Sequence, residues 1–272
     1  MKKVLFVIMA LAVSSLSWAA TAKEDAADRL TKAGVVLKEI MGTPDKGIPQ
    51  EVLDKAKCIA VVPNLVKGGF IFGAQGGKGV ATCRTSSGAW SAPSFFAVTG
   101  GSWGAQIGVE GIDLVMTFMN DAGMKALLNN KVQLGGDASA AAGPVGRHVS
   151  ANTDIKADTG ILTYSRAKGL FAGLTLNGAS IRQDDDSTKA VYGLTGEKAY
   201  QRILTGEVPP PAEARSFLAV VRSASSGSLA ERQQEKKEAQ KDADERDKDK
   251  DRAKGMPQSD KPAPATSEEP KK

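Results

Sequence analysis

The chain has 272 residues, of which 41% are hydrophobic and 25% charged, and its formal net charge is +5. This length suffices for one sizeable hydrophobic core, and the composition excludes fibrous and wholly disordered classes. The net charge is too small for a typical nucleic-acid-binding protein, and the sequence contains neither a basic stripe nor a recognisable nucleic-acid-binding module. We therefore expect one folded domain with terminal extensions and no nucleic-acid partner.

Residues 1–22 have the pattern of a secretory signal peptide. Lys2 and Lys3 form a short basic region, an apolar run follows, and small residues then fit a cleavage site after Ala22 or after Ala19. The apolar run is too short to span a bilayer comfortably, and an uncleaved anchor is the alternative. The pattern predicts a periplasmic or secreted protein, whose charge falls from +5 to +3 when Lys2 and Lys3 leave.

Export would place the two cysteines, Cys58 and Cys83, in an oxidising compartment where a disulfide persists. No histidine lies near them in the sequence, so a zinc site is unsupported. Two alternatives remain open. Neighbouring strands could bring the two cysteines within bonding distance, or two buried free thiols could lie in separate strands.

Residues 23–41 predict an amphipathic helix. Its apolar side chains recur at spacings of three and four, at Ala27, Leu30, Leu37 and Met41, with Gly34 on the same face. Such a face either docks on the core of its own domain or lies on a membrane surface.

The stretch from residue 67 to residue 108 is rich in glycine, and short runs of β-branched and aromatic residues lie between the glycines. This pattern predicts strands punctuated by glycines, which suit either a strongly curved sheet or a surface where backbone meets ligand. Short connections favour antiparallel neighbours. Strands are predicted at 58–62, 69–74, 79–84, 94–99, 106–109, 112–119, 131–134, 160–165, 169–176 and 179–182.

Short helices are predicted at 50–56 and 121–128, and closing helices at 194–204 and 212–222. The predicted fold class is therefore α+β, with a curved, mainly antiparallel sheet or partly closed barrel and flanking N- and C-terminal helices, over residues 23–222. Residues 223–272 are highly charged and carry no apolar stripe. They are interpreted as a solvated, low-complexity tail that is partly helical at most.

No catalytic, metal or cofactor site is expected. Gly100, Ser102 and Gly104 match the nucleophile-elbow spacing and His148 could complete a triad, but residues 105–111 would form a poor helix after the serine, which disfavours a hydrolase. His148 is the only histidine, which excludes a multi-histidine metal site. The three acids at 184–186 could bind a hard cation, but adjacent acids point in different directions and predict a solvated turn.

Four basic residues adjoin glycine-rich or turn-like backbone: Lys67, Lys78, Arg84 and Arg147. Exposed N–H groups in such backbone can form anion-binding nests, and a basic side chain beside a nest could hold a lipid phosphate. Ordinary turn charges are the alternative interpretation.

Several motifs occur in order and at suitable spacing from about Ala26 to Tyr192. They are CIAVVP at 58–63, KGGF at 67–70, GKGV at 77–80, WSAPS at 90–94, QIG at 106–108, GPVGR at 143–147, YS at 164–165 and GLFAG at 169–173. In this respect the chain resembles the SYLF domain in its bacterial secreted form. The charged tail lies outside the resemblance.

The resemblance implies a lipid-binding module without catalytic residues. Eukaryotic relatives bind phosphoinositides, some with help from an N-terminal amphipathic helix, and some take part in actin organisation. Neither actin nor phosphoinositides are expected in a bacterial periplasm, so the identity of the ligand does not transfer.

The sequence thus predicts an exported, non-enzymatic protein that binds anionic phospholipid or another amphiphile at the cell envelope. Leu30, Leu37 and Met41 would insert into the membrane. Contacts with phosphate would come from Lys67, Lys78, Arg84 or Arg147. The alternative is a structural or stress protein of the envelope that recruits other proteins, with the charged tail as a spacer or interaction segment.

Overall fold

The computed structural model describes residues 2–43, 47–69, 72–103, 108–128, 131–134, 140–144, 160–167, 170–172, 176 and 178–225, with most of the side chains beyond residue 20. The helices are α1 (Lys2–Met41), α2 (Gln50–Lys55), α3 (Asp121–Leu128), α4 (Asp185–Tyr192), α5 (Glu197–Thr205) and α6 (215–225), the last preceded by a 3-10 turn at Ala212–Ala214. The strands are β1 (Cys58–Gly69), β2 (Phe72–Cys83), β3 (Ser94–Trp103), β4 (Gly108–Phe118), β5 (Lys131–Gln133), β6 (Ala140–Ala142), β7 (Ile161–Ala167), β8 (Leu170–Ala172) and β9 (Ala179–Gln183).

The strands form one sheet in the order β5-β9-β3-β2-β1-β4-β7-β6, with β8 paired to β7. All described pairings are antiparallel except that of β6 with β7, where three alanines lie parallel to the neighbouring strand. The predicted class, a curled and mainly antiparallel sheet with flanking N- and C-terminal helices, is confirmed.

The first part of the central strand β1 is buried on both sides. All five residues from Cys58 to Val62 have 0% exposure, and successive side chains of a strand point to opposite faces. Ala60 and Val62 pack with residues of α3 and α5. Ile59 and Val61 pack with residues of α1, α2 and α6. The sheet therefore has a helical layer on each side, and we refer to its two sides as the α5 face and the α1 face.

The described glycines of the 67–108 stretch lie inside strands, except Gly88 in the turn between β2 and β3, so the prediction of short strands divided by glycines was wrong. β1 and β2 are each 12 residues long. At Gly79, within β2, an added Cβ would lie 2.6 Å from the carbonyl oxygen of Val61 and 2.6 Å from Cζ of Phe96. Glycine is therefore required here because the Phe96 ring lies directly against the backbone.

β1 contains a bulge just after its fully buried segment. The pairing of β1 with β4 shifts register between Val62 and Leu65, and Asn64 has φ 57°. The nearby Gly111 makes room for the Asn64 side chain, since a Cβ at Gly111 would lie 2.2 Å from Oδ1 of Asn64. The bulge divides the sheet into a part covered by helices and a part beyond it.

The C-terminal helix α6 packs on the α1 face and extends further than predicted. α6 continues to residue 225, and Trp90 Nε1 donates a hydrogen bond of 3.0 Å to Oγ of the buried Ser225. The compact unit of the chain ends at Ser226. The sequence also missed α4, which begins at the acidic run expected to form a solvated turn.

The structure shows a disulfide between the two cysteines rather than two free thiols. Cys58 and Cys83 are bonded, and they lie directly opposite each other in the register of β1 and β2. The alternative of two free thiols in separate strands was wrong.

Removing this disulfide should destabilise the domain. Its cysteines are separated by 25 residues. A disulfide that closes a loop of that size raises the free energy of the unfolded state by about 3 kcal/mol. Urea unfolding of the Cys58→Ala, Cys83→Ala double variant, and of the wild-type chain in reductant, should both show this loss. A wild-type unfolding midpoint that stays the same in reductant, with two titratable thiols present, would contradict the prediction.

Two glycines offer a matched test of the packing. Gly79→Ala should lower the free energy of unfolding by about 2 kcal/mol, because the new methyl group overpacks a closed site. At the exposed Gly101, the nearest atom to an added Cβ is the Gly73 carbonyl oxygen at 3.9 Å, so Gly101→Ala should stay within about 0.5 kcal/mol of wild type. Urea unfolding curves of both variants check this, and equal losses would show that Gly79 is not under steric constraint.

Candidate functional site

The apolar face of α1 is part of the domain core. Leu30 and Leu37 have 0% exposure, and Met41 packs on the same cluster at partial burial. Apolar atoms already removed from water gain little on transfer to a bilayer. In the described conformation Leu30 and Leu37 have no exposed surface with which to enter a membrane, because this face of the helix docks on its own core, whereas Met41 is partly exposed. Among the described helices, none has a stretch long and apolar enough to cross a membrane.

One buried carboxylate ties α1 to the sheet and to α4. Oδ2 of Asp184, a residue with 7% exposure, accepts hydrogen bonds from Arg29 Nη1 at 2.9 Å and from Ser187 Oγ at 2.8 Å. The Nζ atom of Lys78 lies 3.1 Å from the same oxygen. The Arg29 guanidinium also lies 5.5 Å above the Phe95 ring. The position of α1 therefore depends on a residue 155 positions away in the sequence.

This environment keeps Asp184 ionised. Burial by itself would raise the pKa of the Asp184 carboxyl, but hydrogen bonds from Ser187, Lys78 and Arg29 outweigh it, and the pKa lies below its ordinary value. The expectation of a solvated turn was wrong for Asp184, since its side chain starts α4 by accepting from the Ser187 N–H at 3.2 Å. Asp185 and Asp186 are exposed, as expected.

A second ion-pair group holds α1 nearer its C-terminal end. Arg166 of β7 pairs with Glu39 of α1 and, at 3.0 Å, with Asp113 of β4. The hydrogen bond to Asp113 raises the pKa of Arg166, burial opposes this, and the bond to Glu39 raises it further. Both halves of α1 beyond residue 20 are thus fixed by ion pairs as well as by apolar packing.

The three predicted phosphate contacts that lie within the described residues, Lys67, Lys78 and Arg84, are not grouped in one place. Lys78 shares the α1 face with Val80, whereas Lys67 shares the α5 face with Leu65, because alternate residues of a strand lie on one side. Arg147 lies outside the described residues. Of these residues, Lys78 keeps a largely exposed side chain, at 57%.

Arg84 has a structural role instead. Its guanidinium lies 4.5 Å over the Trp90 ring, and its Nε donates to the Ala56 carbonyl at 3.2 Å. Burial lowers the pKa of Arg84, partly opposed by the charge of Asp54. Arg84 thus stabilises the end of the β1–β2 pair through hydrogen bonds to backbone carbonyls and stacking on Trp90.

The nucleophile-elbow motif does not have the geometry that the chemistry needs. Ser102 lies within β3, paired opposite Gly73 of β2, rather than on a strand-to-helix turn. His148 lies outside the described residues. In the part of the chain that the structure describes, no group of three or more His, Cys, Asp or Glu residues is placed to hold a metal ion.

An uncovered surface lies on the α1 face beyond the bulge. Two rows of paired residues cross β3, β2, β1 and β4 there, and we call them together the bare face: Thr99, Gly76, Val66 and Gly111, then Gly101, Ala74, Gly68 and Val109. Its side chains are all small, and the exposure of Val66 is 42% and that of Val109 is 80%. The bare face is an exposed patch of sheet whose residues carry no charge.

Charged residues border the bare face on its inner side. Lys78 lies two residues beyond Gly76 on β2, and Asp113 lies two residues beyond Gly111 on β4, where it meets Arg166. We call Lys78, Asp113 and Arg166 the charged row. An exposed apolar patch with a polar rim is typical of an interaction surface.

No direct signal for the bare face is present in the amino-acid sequence. Isolated valines among glycines are as compatible with a buried strand as with an exposed one, and sequence cannot show where a helical layer stops. The signal that could have indicated it is the absence of charge at alternate positions of four consecutive strands.

These features define an α+β domain with a sheet between two helical layers, internally satisfied ion pairs and one exposed sheet surface. Residues 99–224 match the family model described as Ysc84, Las17-binding protein actin regulator. Over 198 residues the chain is 34% identical to SH3 domain-containing YSC84-like protein 1 of Xenopus laevis, covering 71% of this chain and 58% of that protein.

The human protein of the same name is also 34% identical over 198 residues, covering 71% of this chain and 57% of that protein. Protein YSC84 of Saccharomyces cerevisiae is 33% identical over 202 residues, covering 72% of this chain and 42% of that protein. The chain thus spans little more than half the length of the animal relatives. Its domain belongs to the Ysc84/SYLF domain family, and the resemblance seen in the motifs is confirmed.

Replacing the buried carboxylate should destabilise the domain at neutral pH. Asp184→Asn leaves Arg29 without a counter-charge in a buried site, which should cost about 3 kcal/mol of unfolding free energy. Asp186→Asn, at an exposed position of the same helix, is the matched control. Urea unfolding at pH 7 measures both.

The pH profile distinguishes the charge from the shape of this side chain. Because the folded pKa of Asp184 is lowered, its contribution is complete above the unfolded pKa of about 3.9 and is lost as the pH falls through the folded value. The wild-type chain should therefore lose more stability than Asp184→Asn when the pH drops from 6 to below 4. Parallel acid profiles would show that the carboxylate charge is not responsible.

Proposed function

We propose that this chain is a non-enzymatic module that binds the surface of a phospholipid membrane or another amphiphile assembly, after export to the cell envelope. The bare face carries this proposal. It is an exposed apolar surface on a domain whose other described β1–β4 surfaces are largely covered by helices or occupied by ion pairs. The family resemblance to lipid-binding SYLF domains supports the same class of ligand.

The charge distribution supports a membrane ligand with a phosphate headgroup. Lys78 borders the bare face, its side chain is 57% exposed, and its ammonium group has three donors of which Asp184 takes one. A phosphate oxygen could accept another. Lys67 and Arg84 are not included in the proposal, since one lies on the opposite face and the other is engaged by Trp90.

Flotation with liposomes tests the proposal. The chain without its predicted signal peptide, residues 23–272, is mixed at low salt with vesicles of phosphatidylcholine containing phosphatidylglycerol and centrifuged through a density gradient. We expect the protein to rise with the vesicles, and to stay at the bottom of the gradient without them. Protein that remains at the bottom in both tubes would refute membrane binding.

Recruitment of a protein partner is the second candidate function. It is favoured by the family description, which names Las17 binding and actin regulation, and by relatives named as SH3 domain-containing proteins. In this chain the charged tail would contact the partner protein.

A truncation separates the two candidates. The cut belongs after Ser226, because removal from residue 223 would delete Ser225 and its hydrogen bond with Trp90. Lipid binding should survive this cut, whereas recruitment that depends on the tail should be lost. Flotation and affinity capture of the same two proteins give the comparison.

A further inference from the structure

We infer that the bare face is the surface that enters the interfacial region of the bilayer, with α1 remaining docked on the sheet. This inference rests on the proposed function and names the site and the mode of contact. It differs from the expectation based on the sequence, in which α1 supplies the inserting side chains.

Distances along the strands fit this mode. Lys78 is four residues from Ala74 on β2, which corresponds to ~13 Å at ~3.3 Å per residue. Apolar surfaces of interfacial proteins lie about 5–10 Å into the boundary between headgroups and acyl chains. With Ala74 and Val109 at that depth, the charged row and Glu39 of α1 lie at the level of the headgroups. Lys67 and Glu110, which are partners in register on the opposite face of β1 and β4, lie in the boundary region as one basic and one acidic residue.

A second copy of the chain fits this surface poorly. Strand spacings of ~3.3 Å by ~4.8 Å give each outward-facing residue ~30 Å², so the two rows cover ~250 Å². A stable interface needs about 800 Å² from each partner. The described side chains of the bare face include no aromatic or arginine anchor of the kind that dominates protein interfaces. A fluid apolar medium, which needs no complementary shape, fits better.

The charges beside the bare face predict how binding depends on salt. Arg29, Lys78 and Arg166 are balanced by Asp184, Asp113 and Glu39. Because this set is neutral overall, apolar contact should dominate binding. We expect partition coefficients for phosphatidylcholine vesicles within about threefold of those for vesicles with phosphatidylglycerol, and a change below about threefold between 0.05 and 0.5 M salt.

Charge substitutions locate the contact. In the otherwise complete chain, Val109→Asp and Val66→Asp should each lower the vesicle partition coefficient by about tenfold, because a carboxylate is costly at membrane depth. Val35→Asp is the matched control, since Val35 is 50% exposed but lies on α1. It should leave binding unchanged. Urea unfolding confirms that all three variants fold.

The outcomes separate this inference from the proposed function. If wild type binds and the bare-face variants bind equally well, the inference is wrong and membrane binding stands. If Val35→Asp alone loses binding, α1 is the membrane element and the inference is again wrong. If wild type binds no vesicle, the proposed function itself fails.

A fluorescent probe gives a measurement that does not depend on lost affinity. Val109→Cys and Val35→Cys are each labelled with an environment-sensitive fluorophore, with the Cys58–Cys83 disulfide left intact. On adding vesicles, emission should shift to shorter wavelength at position 109 and be quenched by spin-labelled lipids, with no change at position 35. The reverse pattern would overturn the inference.

Discussion

The burial of both faces of β1 from Cys58 to Val62 dictates where the helices of the domain must lie. A central strand whose every side chain from Cys58 to Val62 is removed from water requires apolar cover on both sides of the sheet. The chain supplies it with α1, α2 and α6 on one face and α3 and α5 on the other. Beyond the bulge at Asn64 this requirement ends on the α1 face, because the residues that follow are glycines and small side chains. The bare face is the part of the same strands whose side chains do not need a helix to cover them from water.

The ion pairs of the domain explain why basic residues that suggest a ligand site in the sequence serve the fold instead. A carboxylate buried as deeply as Asp184 must have several donors, and Arg29, Lys78 and Ser187 provide them. Arg84 is similarly engaged by the Trp90 ring and by backbone carbonyls. Cationic side chains near glycine-rich backbone are therefore ambiguous until the positions of the acids are known. In this domain the acids lie close to the basic residues, and the exposed bare face carries no charge.

Local patterns predicted much of the fold. The spacing of Leu30 and Leu37 indicated α1, Asn120 and the residues after it indicated α3, and ordered motifs indicated the family. The sequence could not predict contacts between distant segments, such as Arg29 with Asp184, nor the start of α4 at an acidic run. Lys67 and Lys78 lie on opposite faces of the sheet because of the register between β1 and β2 and the bulge in β1. Most of the candidate site was missed for the same reason, since exposure of Val109 depends on where a helical layer stops.

The disulfide has a consequence at a distance from where it lies. Because the side-chain period of a strand is two, a slip of one residue between β1 and β2 would turn every side chain of the slipped strand to the other face. Cys58 and Cys83 are opposite partners in this pairing, so their bond holds the alignment covalently. Two sulfur atoms under the helical layers thus help determine that Val66, at the far end of the hairpin, points outward. Oxidation of one cysteine pair therefore bears, through the strand register and the bulge, on a surface that contains neither cysteine.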